Sequence, residues 1–375
     1  MINFSEVNPI SPKTNLKINR AIYKIIKKKN FILGDEVKKF EKKFSVYTKV
    51  KHSIGCGNGT DALILSLMSL NLKKKDEVIV PGLSYVSTAL AVVLNRSNLI
   101  FADIDEETGL VCIDQIKNKI SKNTKAIIPV NLYGQKVDLK KLRKIIGRKI
   151  FIIEDSAQSH LAYSCLCAKP HNNCCDNNRN EKYADISCYS FYPAKNLGAY
   201  GDGGLITTNN KKIYDKILAL RNLGSIKKHE HNLIGLNSRL DTINAAVLSE
   251  KINYLNKFNN IRRKISNFYD RNLKKIKDIK ITKTNPGSSR HLYVIRCSKR
   301  NLLLKYMLKN KILCQIHYPY SLNKLKGFKN LIKNQTLKNS ENWANECLSL
   351  PLHPKLTMKN AGEVVRILNK FFKKK

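Results

Sequence analysis

The chain has 375 residues, more than one compact core usually holds, so two domains are the expected organisation. Its 69 lysines and arginines outnumber 28 acidic residues, which gives a formal net charge of +41. No uninterrupted apolar run approaches the roughly 18 residues of a membrane span, and no basic-then-apolar signal peptide opens the chain. We therefore expect a cytoplasmic protein that does not enter a membrane and whose ten cysteines are thiols.

The positive charge has two interpretations. Clustered lysine and arginine gain affinity for nucleic acids through counterion release. The lysines of this chain are instead spread throughout, as at 27–29, 73–75 and 373–375, and no helix-turn-helix, RRM or zinc-finger pattern accompanies them. We therefore expect a solvated basic surface and no specific nucleic-acid partner, although such a surface also attracts anionic substrates.

Apolar residues at helical and strand spacing predict a regular succession of elements. Two amphipathic helices come first, over 14–29 and 36–47, and a strand ending near Cys56 leads into a helix over 60–70. Strands and helices then alternate. The next elements are a strand at 77–80, the helix that Tyr85 opens, a strand at 99–102, a helix near 113–120, a strand at 126–130, a helix at 139–146 and a strand at 150–154. This alternation predicts a mostly parallel sheet with helices on both faces, the pattern of an α/β protein.

The rest of the chain is expected to complete a large domain and to add a small one. Strands at 186–191 and 204–208 and a helix at 213–221 close the large domain. From Leu240 a long helix leads into a smaller α+β layer. Its elements are strands at 291–296 and 312–316 and a final helix at 364–371. We place the large domain at 1–245, including the N-terminal helices, and the small domain at 246–375.

Three segments combine into one chemical site. The apolar strand 186–191 leads to Lys195 in a glycine-rich loop, where a lysine amine can be a surface charge, a phosphate ligand or a nucleophile that forms a Schiff base with a carbonyl. The buried strand 150–154 leads into Asp155, at the crevice where open α/β sheets bind ligands. The strand, glycine turn and helix of 53–63 direct backbone N–H groups at one spot, which is an anion site. A lysine, an acid and a phosphate cradle together describe a site for pyridoxal phosphate (PLP).

Short motifs occur in order along nearly the whole chain. They are FILG at 31–34, NGTDAL at 58–63, DEVIVP at 76–81, NLYGQ at 131–135, EDSAQ at 154–158, YSFYPAKNLG at 189–198, GDGG at 201–204, GLNSRL at 235–240, HYP at 317–319 and LSLP at 348–351. Together they resemble the DegT/DnrJ/StrS family of sugar aminotransferases, PLP enzymes that act on nucleotide-linked keto sugars. The resemblance implies a type I (aspartate aminotransferase-like) PLP fold, with a mostly parallel seven-stranded sheet and a small α+β C-terminal domain.

The resemblance also assigns roles at the cofactor ring. Lys195 would hold PLP covalently and shuttle the proton during transamination. Asp155 would keep the pyridine nitrogen protonated, because a carboxylate favours a charged partner; on its own, an acid there could simply cap a loop. Gln158 would lie near the ring hydroxyl, and Tyr85 would stack on the ring, although a lone tyrosine is more often part of a core.

Further residues are expected at the cofactor phosphate and on the substrate side. Gly59, Thr60 and Ser190 should bind the phosphate. By the same resemblance, Asn237 should reach the phosphate of the neighbouring subunit, which implies a homodimer with shared active sites. His317 and Tyr318 lie near the substrate in relatives, but a His-Tyr pair is as often structural.

Two departures from the family pattern bear on substrate choice. After Gln158 the family usually has a His-Gly-Ala run, whereas this chain reads SHLA at 159–162, followed by a longer segment at 164–182. That segment is rich in cysteine, histidine and asparagine, but its irregular spacing disfavours zinc, so we expect a polar insertion and no metal site. Asn323 stands where relatives often carry a histidine.

The sequence thus predicts transfer of an amino group, from L-glutamate, to a keto group of a dTDP- or UDP-linked deoxy sugar in polysaccharide or aminosugar biosynthesis. A PLP-dependent sugar dehydratase of the same family is one alternative, but such relatives commonly replace the cofactor lysine with histidine, and Lys195 argues against it. A regulatory or nucleic-acid-binding protein on an inert scaffold is the other, supported only by the basic charge.

Overall fold

The computed structural model of the chain describes residues 1–162, 182–227, 229–332 and 335–373. The insertion expected at 164–182 therefore lies outside the described residues, except for Lys182. Within the described part of the chain, no helix is both long enough and apolar enough to cross a membrane.

Two amphipathic helices precede the sheet, α1 (Pro12–Lys28) and α2 (Asp35–Thr48), close to the predicted bounds. Ser11 caps α1, because its hydroxyl accepts a hydrogen bond from the Thr14 N–H, and Pro12 fits the first turn, where no N–H partner is needed. Ile18 and Ile25 of α1 and Phe40 and Phe44 of α2 are buried, whereas most of the lysines of both helices are exposed.

Seven strands of the described chain form the central sheet. In chain order they are β1 (His52–Cys56), β2 (Glu77–Pro81), β3 (Asn98–Ala102), β4 (Thr124–Ile127), β5 (Phe151–Asp155), β6 (Ile186–Ser190) and β7 (Gly204–Thr208). Their spatial order is β1-β7-β6-β5-β4-β2-β3. Only β7 runs antiparallel to its neighbours, and the other strands pair in parallel. The mostly parallel seven-stranded sheet predicted from the sequence is confirmed.

Helices cover both faces of this sheet. They are α3 (Gly59–Ser69), α4 (Ser87–Leu94), α5 (Ile113–Lys117), α6 (Leu139–Ile146) and α7 (Lys211–Leu220). Along β2, Val78 and Val80 pack with Leu63 of α3 on one face, whereas Ile79 packs with Leu142 of α6 on the other. Strands buried on both faces need continuous apolar runs, and this need explains why the sequence predicted them well.

A short hairpin and a second group of elements follow. The hairpin is β8 (Ser225–Lys227) with β9 (Glu230–His231). The later elements are α8 (Thr242–Lys251), α9 (Leu255–Leu273), β10 (Lys280–Ile281), β11 (Tyr293–Arg296), α10 (Arg300–Lys309), α11 (Lys338–Glu346), β12 (Cys347–Leu350) and α12 (Met358–Lys373). Strands β10, β11 and β12 form an antiparallel sheet that packs with α9, α10 and α12 around its own core.

Two predicted elements of this region differ in the structure. The long helix expected from Leu240 is divided into α8 and α9 by a 3₁₀ turn at Ile252–Tyr254. The strand expected at 312–316 is wrong. Ile312 bridges Ile2 while Gln315 bridges Ser349, so the segment contacts two different partners and forms no continuous ladder.

The change from one core to the other occurs between α8 and α9. Ala245 and Leu248 of α8 pack with Phe40 of α2, whereas Tyr269 of α9 packs in the C-terminal core. The expected domain boundary at residue 245 falls within α8, and the division into two domains stays a prediction. The first residues of the chain cross to the C-terminal part, where Phe4 stacks on His317 with ring centroids 5.6 Å apart.

Candidate active site

Asp155 lies at the carboxyl end of β5, in the middle of the sheet, and is 6% exposed. One carboxylate oxygen accepts a hydrogen bond from Thr88 Oγ1 (3.0 Å), and the other accepts one from the Ala157 N–H (3.1 Å). Burial raises the pKa of Asp155, and these two hydrogen bonds only partly oppose that rise. The carboxyl group is therefore held in a fixed orientation within a poorly solvated site.

The preceding residue, Glu154, points to the opposite side of the strand and anchors it. Its carboxylate forms an ion pair with the buried amine of Lys136 (2.8 Å) and accepts hydrogen bonds from Asn131 Nδ2 and Ser187 Oγ, both at 2.8 Å. A buried ion pair is retained only when further hydrogen bonds satisfy it, as they do here. This network joins β5, β6 and the segment after β4, and so immobilises the strand that carries Asp155.

Lys195 lies in a turn after β6. The N–H of Lys195 donates a hydrogen bond to the Tyr192 carbonyl (2.8 Å) and closes this turn. The side chain is partly accessible, but protein atoms surround its amine closely. This desolvation lowers the pKa of Lys195 to about 8, and the Asp155 carboxylate partly opposes the effect. A large fraction of the amine is thus unprotonated near pH 8, the state in which it acts as a nucleophile.

The start of α3 meets the end of β6 and forms a cradle with no room for an added side chain. Asn58 caps the helix by accepting a hydrogen bond from the Asp61 N–H (2.8 Å). A Cβ atom on Gly59 would lie 2.7 Å from the Cβ of Ser190. The hydroxyl of Thr60 lies 2.6 Å from that of Ser87 on α4. The structure therefore brings Gly59, Thr60 and Ser190 together at a helix N-terminus, where an anion is stabilised.

Gln158 connects the cofactor side of the site to the predicted substrate side. Its Oε1 accepts a hydrogen bond from the Tyr133 N–H (2.7 Å), and its Nε2 donates to Tyr318 Oη (2.8 Å). The ring of Tyr318 lies 5.9 Å from that of Tyr85, which is 58% exposed. A tyrosine so exposed is not part of the core, and its accessible ring is available to stack on a ligand.

His317 is held by Ser349, whose hydroxyl lies 2.9 Å from the His317 Nδ1 atom. Burial, reinforced by the positive charge of Lys195, lowers the pKa of His317 to about 4. The backbone carbonyl of His317 accepts a hydrogen bond from the Tyr133 hydroxyl. His317 is therefore a neutral side chain that shares Tyr133 with the Gln158 cluster.

Asn237 is exposed and forms an isolated backbone bridge with Asn222. The next residue, Ser238, accepts a hydrogen bond from the Gly57 N–H (2.9 Å) and donates one to Asp61 (2.6 Å) at the start of α3. The segment is therefore fixed beside the anion cradle of its own chain, while the Asn237 side chain faces outward.

Sequence reasoning missed three residues close to Lys195. His160, noted only as part of a departure, is 1% exposed between Tyr189 and Phe191, and burial lowers its pKa to about 3. Asn196 and His291 are hydrogen-bonded to each other at 3.0 Å. Asn196 belongs to the motif at 189–198, but no local sequence pattern indicates that it pairs with His291, 95 positions away.

The site fits PLP on three observations from the residues themselves. Lys195 is a nucleophilic amine, Asp155 is a fixed acid near it, and the cradle at Gly59 leaves space for an anion where a side chain would collide. PLP needs these three groups as carbonyl trap, pyridinium partner and phosphate anchor.

Comparisons with known proteins agree with this geometry. The profile of the DegT/DnrJ/EryC1/StrS aminotransferase family matches residues 12–369. The chain is 35% identical over 363 residues to a "pleiotropic regulatory protein" of Geobacillus stearothermophilus, with 95% of each chain covered. It is 34% identical over 373 residues to a dTDP-3-amino-3,6-dideoxy-alpha-D-galactopyranose transaminase of Aneurinibacillus thermoaerophilus, with 99% of each covered.

A solved structure resembles the whole fold. The crystal structure of DesV from S. venezuelae, in complex with a ketimine intermediate, has a TM-score of 0.93 and 28% sequence identity, and the match covers 100% of this chain and 99% of that one. The family is PLP-dependent, in agreement with the residues that surround Lys195. The chain therefore belongs to the DegT/DnrJ/EryC1/StrS aminotransferase family.

Proposed function

We propose that this aminotransferase moves an amino group from L-glutamate to the keto carbon of a dTDP- or UDP-linked deoxy sugar, in the biosynthesis of an aminosugar or a cell-surface polysaccharide. The observation that carries the proposal is the position of Lys195, whose desolvated amine lies near Asp155 in a site with an anion cradle. The transaminase activity in the name of the relative that is 34% identical supports a dTDP-linked substrate.

Each proposed role follows from the chemistry of one group of residues. When bound, PLP supplies an electron sink for the carbon that gains or loses the amino group. Lys195 would hold the cofactor and would move a proton at that carbon. Asp155 would keep a proton on the ring nitrogen. The N–H groups of α3 with Thr60 and Ser190 would bind the phosphate, Tyr85 would cover the ring, and Gln158 would orient its hydroxyl.

The substrate side is expected at His317 and Tyr318. Because the pKa of His317 is held near 4, this ring is uncharged at neutral pH and offers hydrogen bonds rather than an ion pair. Sugar hydroxyls suit such a neutral surface. The diphosphate of the nucleotide would be attracted by the net positive charge of the molecule.

We also propose that the enzyme acts as a homodimer with shared sites. The hairpin of β8 and β9 leads into the Asn237 segment, and each exposes an apolar side chain, Ile226 in the hairpin (64% exposed) and Ile234 after it (91% exposed). Exposed apolar side chains in a group mark an interface. In the proposed dimer a second copy covers this surface, and Asn237 reaches the cofactor phosphate of that copy. The cytoplasmic location expected from the sequence stays a prediction.

A regulatory role is the second candidate, because a relative 35% identical is named a pleiotropic regulatory protein and the charge is +41. The complete set of Lys195, Asp155 and the anion cradle favours the enzyme. Specific DNA binding that persists at physiological salt would support the regulatory role, whereas weak binding that falls steeply with salt would reflect charge alone.

The activity is tested with a panel of dTDP- and UDP-linked keto sugars, each incubated with the PLP-loaded protein and L-glutamate. Mass spectrometry should detect one amino sugar nucleotide together with an equal amount of 2-oxoglutarate. The Lys195→Ala variant is the control and should form neither product. A protein that binds PLP on Lys195 but aminates no keto sugar with any amino acid would contradict the proposed function.

A further inference from the structure

The side chain of Asn196, directly after Lys195, makes three hydrogen bonds, which engage both its amide nitrogen and its amide oxygen. Its Nδ2 donates to Asn259 Oδ1 (2.9 Å) and to the Ser289 carbonyl (3.0 Å). Its Oδ1 lies 3.0 Å from His291 Nδ1. An amide has two N–H donors and one oxygen, so each of these groups is engaged.

This arrangement fixes both the orientation of the amide and the tautomer of the histidine. A backbone carbonyl only accepts, so the Asn196 atom that faces Ser289 must be the nitrogen. The Asn196 oxygen therefore faces His291, and the His291 Nδ1 atom must carry the proton that it donates. Burial lowers the pKa of His291, so the ring is neutral and its proton stays on Nδ1.

The partners of Asn196 come from a distant part of the chain and are themselves fixed. Asn259 belongs to α9 and is fully buried, where its Nδ2 donates to the His160 carbonyl (3.0 Å). The His291 carbonyl accepts a hydrogen bond from Arg262 of the same helix (3.1 Å). The Ser289 hydroxyl contacts the Gln158 carbonyl (3.3 Å). The peptide that carries the lysine is thereby attached to α9 and to the segment before β11.

We propose that Asn196 is a positioning residue for Lys195, and that its hydrogen bonds to His291, Asn259 and Ser289 hold the lysine in the site. This proposal rests on the proposed role of Lys195 as the cofactor lysine. A lysine side chain has many rotamers. Attachment of the adjacent peptide to the rigid helix α9 fixes the backbone of Lys195 and so reduces the conformational entropy that the side chain loses when it enters the site. Without this attachment the turn that carries Lys195 can move outward, and the Lys195 amine becomes more exposed to solvent.

The first measurement is made on the full-length apo chain and needs no sugar substrate. The rate of acetylation of Lys195 by acetic anhydride is followed across pH by peptide mass spectrometry, which reports the pKa of its amine. The wild-type chain should give a value of about 8. In Asn196→Ala and in His291→Phe, which retains a ring but loses the donor, the value should rise toward that of a solvated lysine. The affinity for PLP should also fall by about tenfold or more, the order expected from one lost buried hydrogen bond.

Two variants separate positioning from general destabilisation. His291→Asn can present an N–H near the position of Nδ1, and it should restore much of the wild-type pKa of Lys195. Asn95→Ala is the matched control, because Asn95 is a half-buried amide directly after α4 that donates to the Ala91 and Ile64 carbonyls. It should leave both the pKa and the affinity for PLP unchanged.

The outcomes distinguish this proposal from the proposed function. An unchanged pKa of Lys195 in folded Asn196→Ala and His291→Phe chains would overturn the positioning role, even if the enzyme aminates a sugar. Equal shifts in Asn95→Ala would also overturn it, since general loosening would then explain the result. If Asn196→Ala does not fold, the pair His291→Phe and His291→Asn decides the question alone. A failed sugar panel with the expected pKa shifts would contradict the substrate and not the positioning.

Discussion

Around Lys195 lie three histidines that are uncharged at neutral pH, two of them buried (His160 and His291) and one half-buried (His317). Burial lowers the pKa of His160 to about 3, that of His317 to about 4, and that of His291 well below its usual value, and the Lys195 charge contributes to each shift. A protonated histidine beside the amine would repel the charge of Lys195. Because all three rings are neutral, Asp155 is the group left to interact with the charged forms of the lysine and the cofactor.

Replacement of Asp155 with alanine should therefore preserve cofactor attachment and remove turnover. The amine and the anion cradle remain, so borohydride reduction should still fix the cofactor on Lys195. The lost electrostatic partner should lower kcat by about 100- to 1,000-fold. Peptide mapping and single-turnover kinetics give the two measurements. A rate close to wild type in Asp155→Ala would show that another acid serves the ring nitrogen.

Lys251 of α8 is another buried lysine, 5% exposed, that supports the lysine loop. Its Nζ donates to the Gly198 carbonyl (2.9 Å) and lies 4.3 Å from the ring centre of Tyr200. Burial lowers the pKa of Lys251 to about 8. The unfolded chain, with an ordinary lysine pKa of roughly 10.4, binds more protons between these two values, so this residue makes stability rise with pH in that window.

Comparison of the wild type with Lys251→Met should isolate this effect. The free energy of unfolding of the wild type minus that of the variant should grow between about pH 8 and pH 10. In this range the unfolded wild-type chain still binds a proton at Lys251 and the folded chain does not, whereas the variant has no such group. Urea unfolding at several pH values measures it. The same change at Lys17, on the exposed face of α1, is the control. A difference that does not vary with pH would mean that Lys251 is better solvated than its burial indicates.

Among single residues, sequence reasoning identified those whose role can be inferred from the neighbouring sequence. Lys195 and Asp155 follow apolar strands and lie at strand ends, a position that can be deduced without coordinates. Asn196, His291 and Lys251 have no such signal, because their roles depend on hydrogen bonds between residues 53 to 95 positions apart. Asn323 is 9% exposed and donates to the Gln335 carbonyl and to Glu341, and its bearing on substrate choice stays a prediction.

At the scale of elements, the helix N-terminus of α3 and the end of β6 depend on each other. Gly59 permits their close approach, because any Cβ there would lie only 2.7 Å from Ser190. Both segments were predicted as elements, but their contact was inferred only through the family resemblance. Strands with continuous apolar runs were predicted well, whereas 312–316 failed because an apolar run does not specify its pairing partner.

Gly59→Ala should weaken PLP binding by about tenfold or more, since overpacking of this kind costs roughly 1–3 kcal/mol. The methyl group would push Ser190 away from the position proposed for the phosphate. Titration of the apo protein with PLP, followed by absorbance, measures the affinity. Gly327→Ala is the matched control, because a Cβ there meets no atom within 4 Å. Equal losses in both variants would point to folding rather than to the cradle.

At the scale of the whole molecule, the proposed dimer depends on the position of Asn237. This residue is exposed in its own chain, and the exposed Ile226 and Ile234 lie in the preceding hairpin and in the segment after it, although the backbone lies near the anion cradle through Ser238. The two arrangements make different predictions. Either Asn237 serves the cofactor of its own chain, or two-fold symmetry places it in the site of the partner.

Mixing two inactive variants separates these arrangements. Lys195→Ala lacks the amine, and Asn237→Asp places a negative charge near the phosphate, which should weaken PLP binding. If each site combines Lys195 from one chain with Asn237 from the other, every mixed dimer has one doubly damaged site and one intact site. Random 1:1 reassociation makes about half of the dimers mixed, so about a quarter of all sites should become active.

If Asn237 serves its own chain, no mixed dimer contains an intact site. Activity no greater than the sum of the separate variants, after subunit exchange has been verified by mass spectrometry, would therefore rule out the shared site.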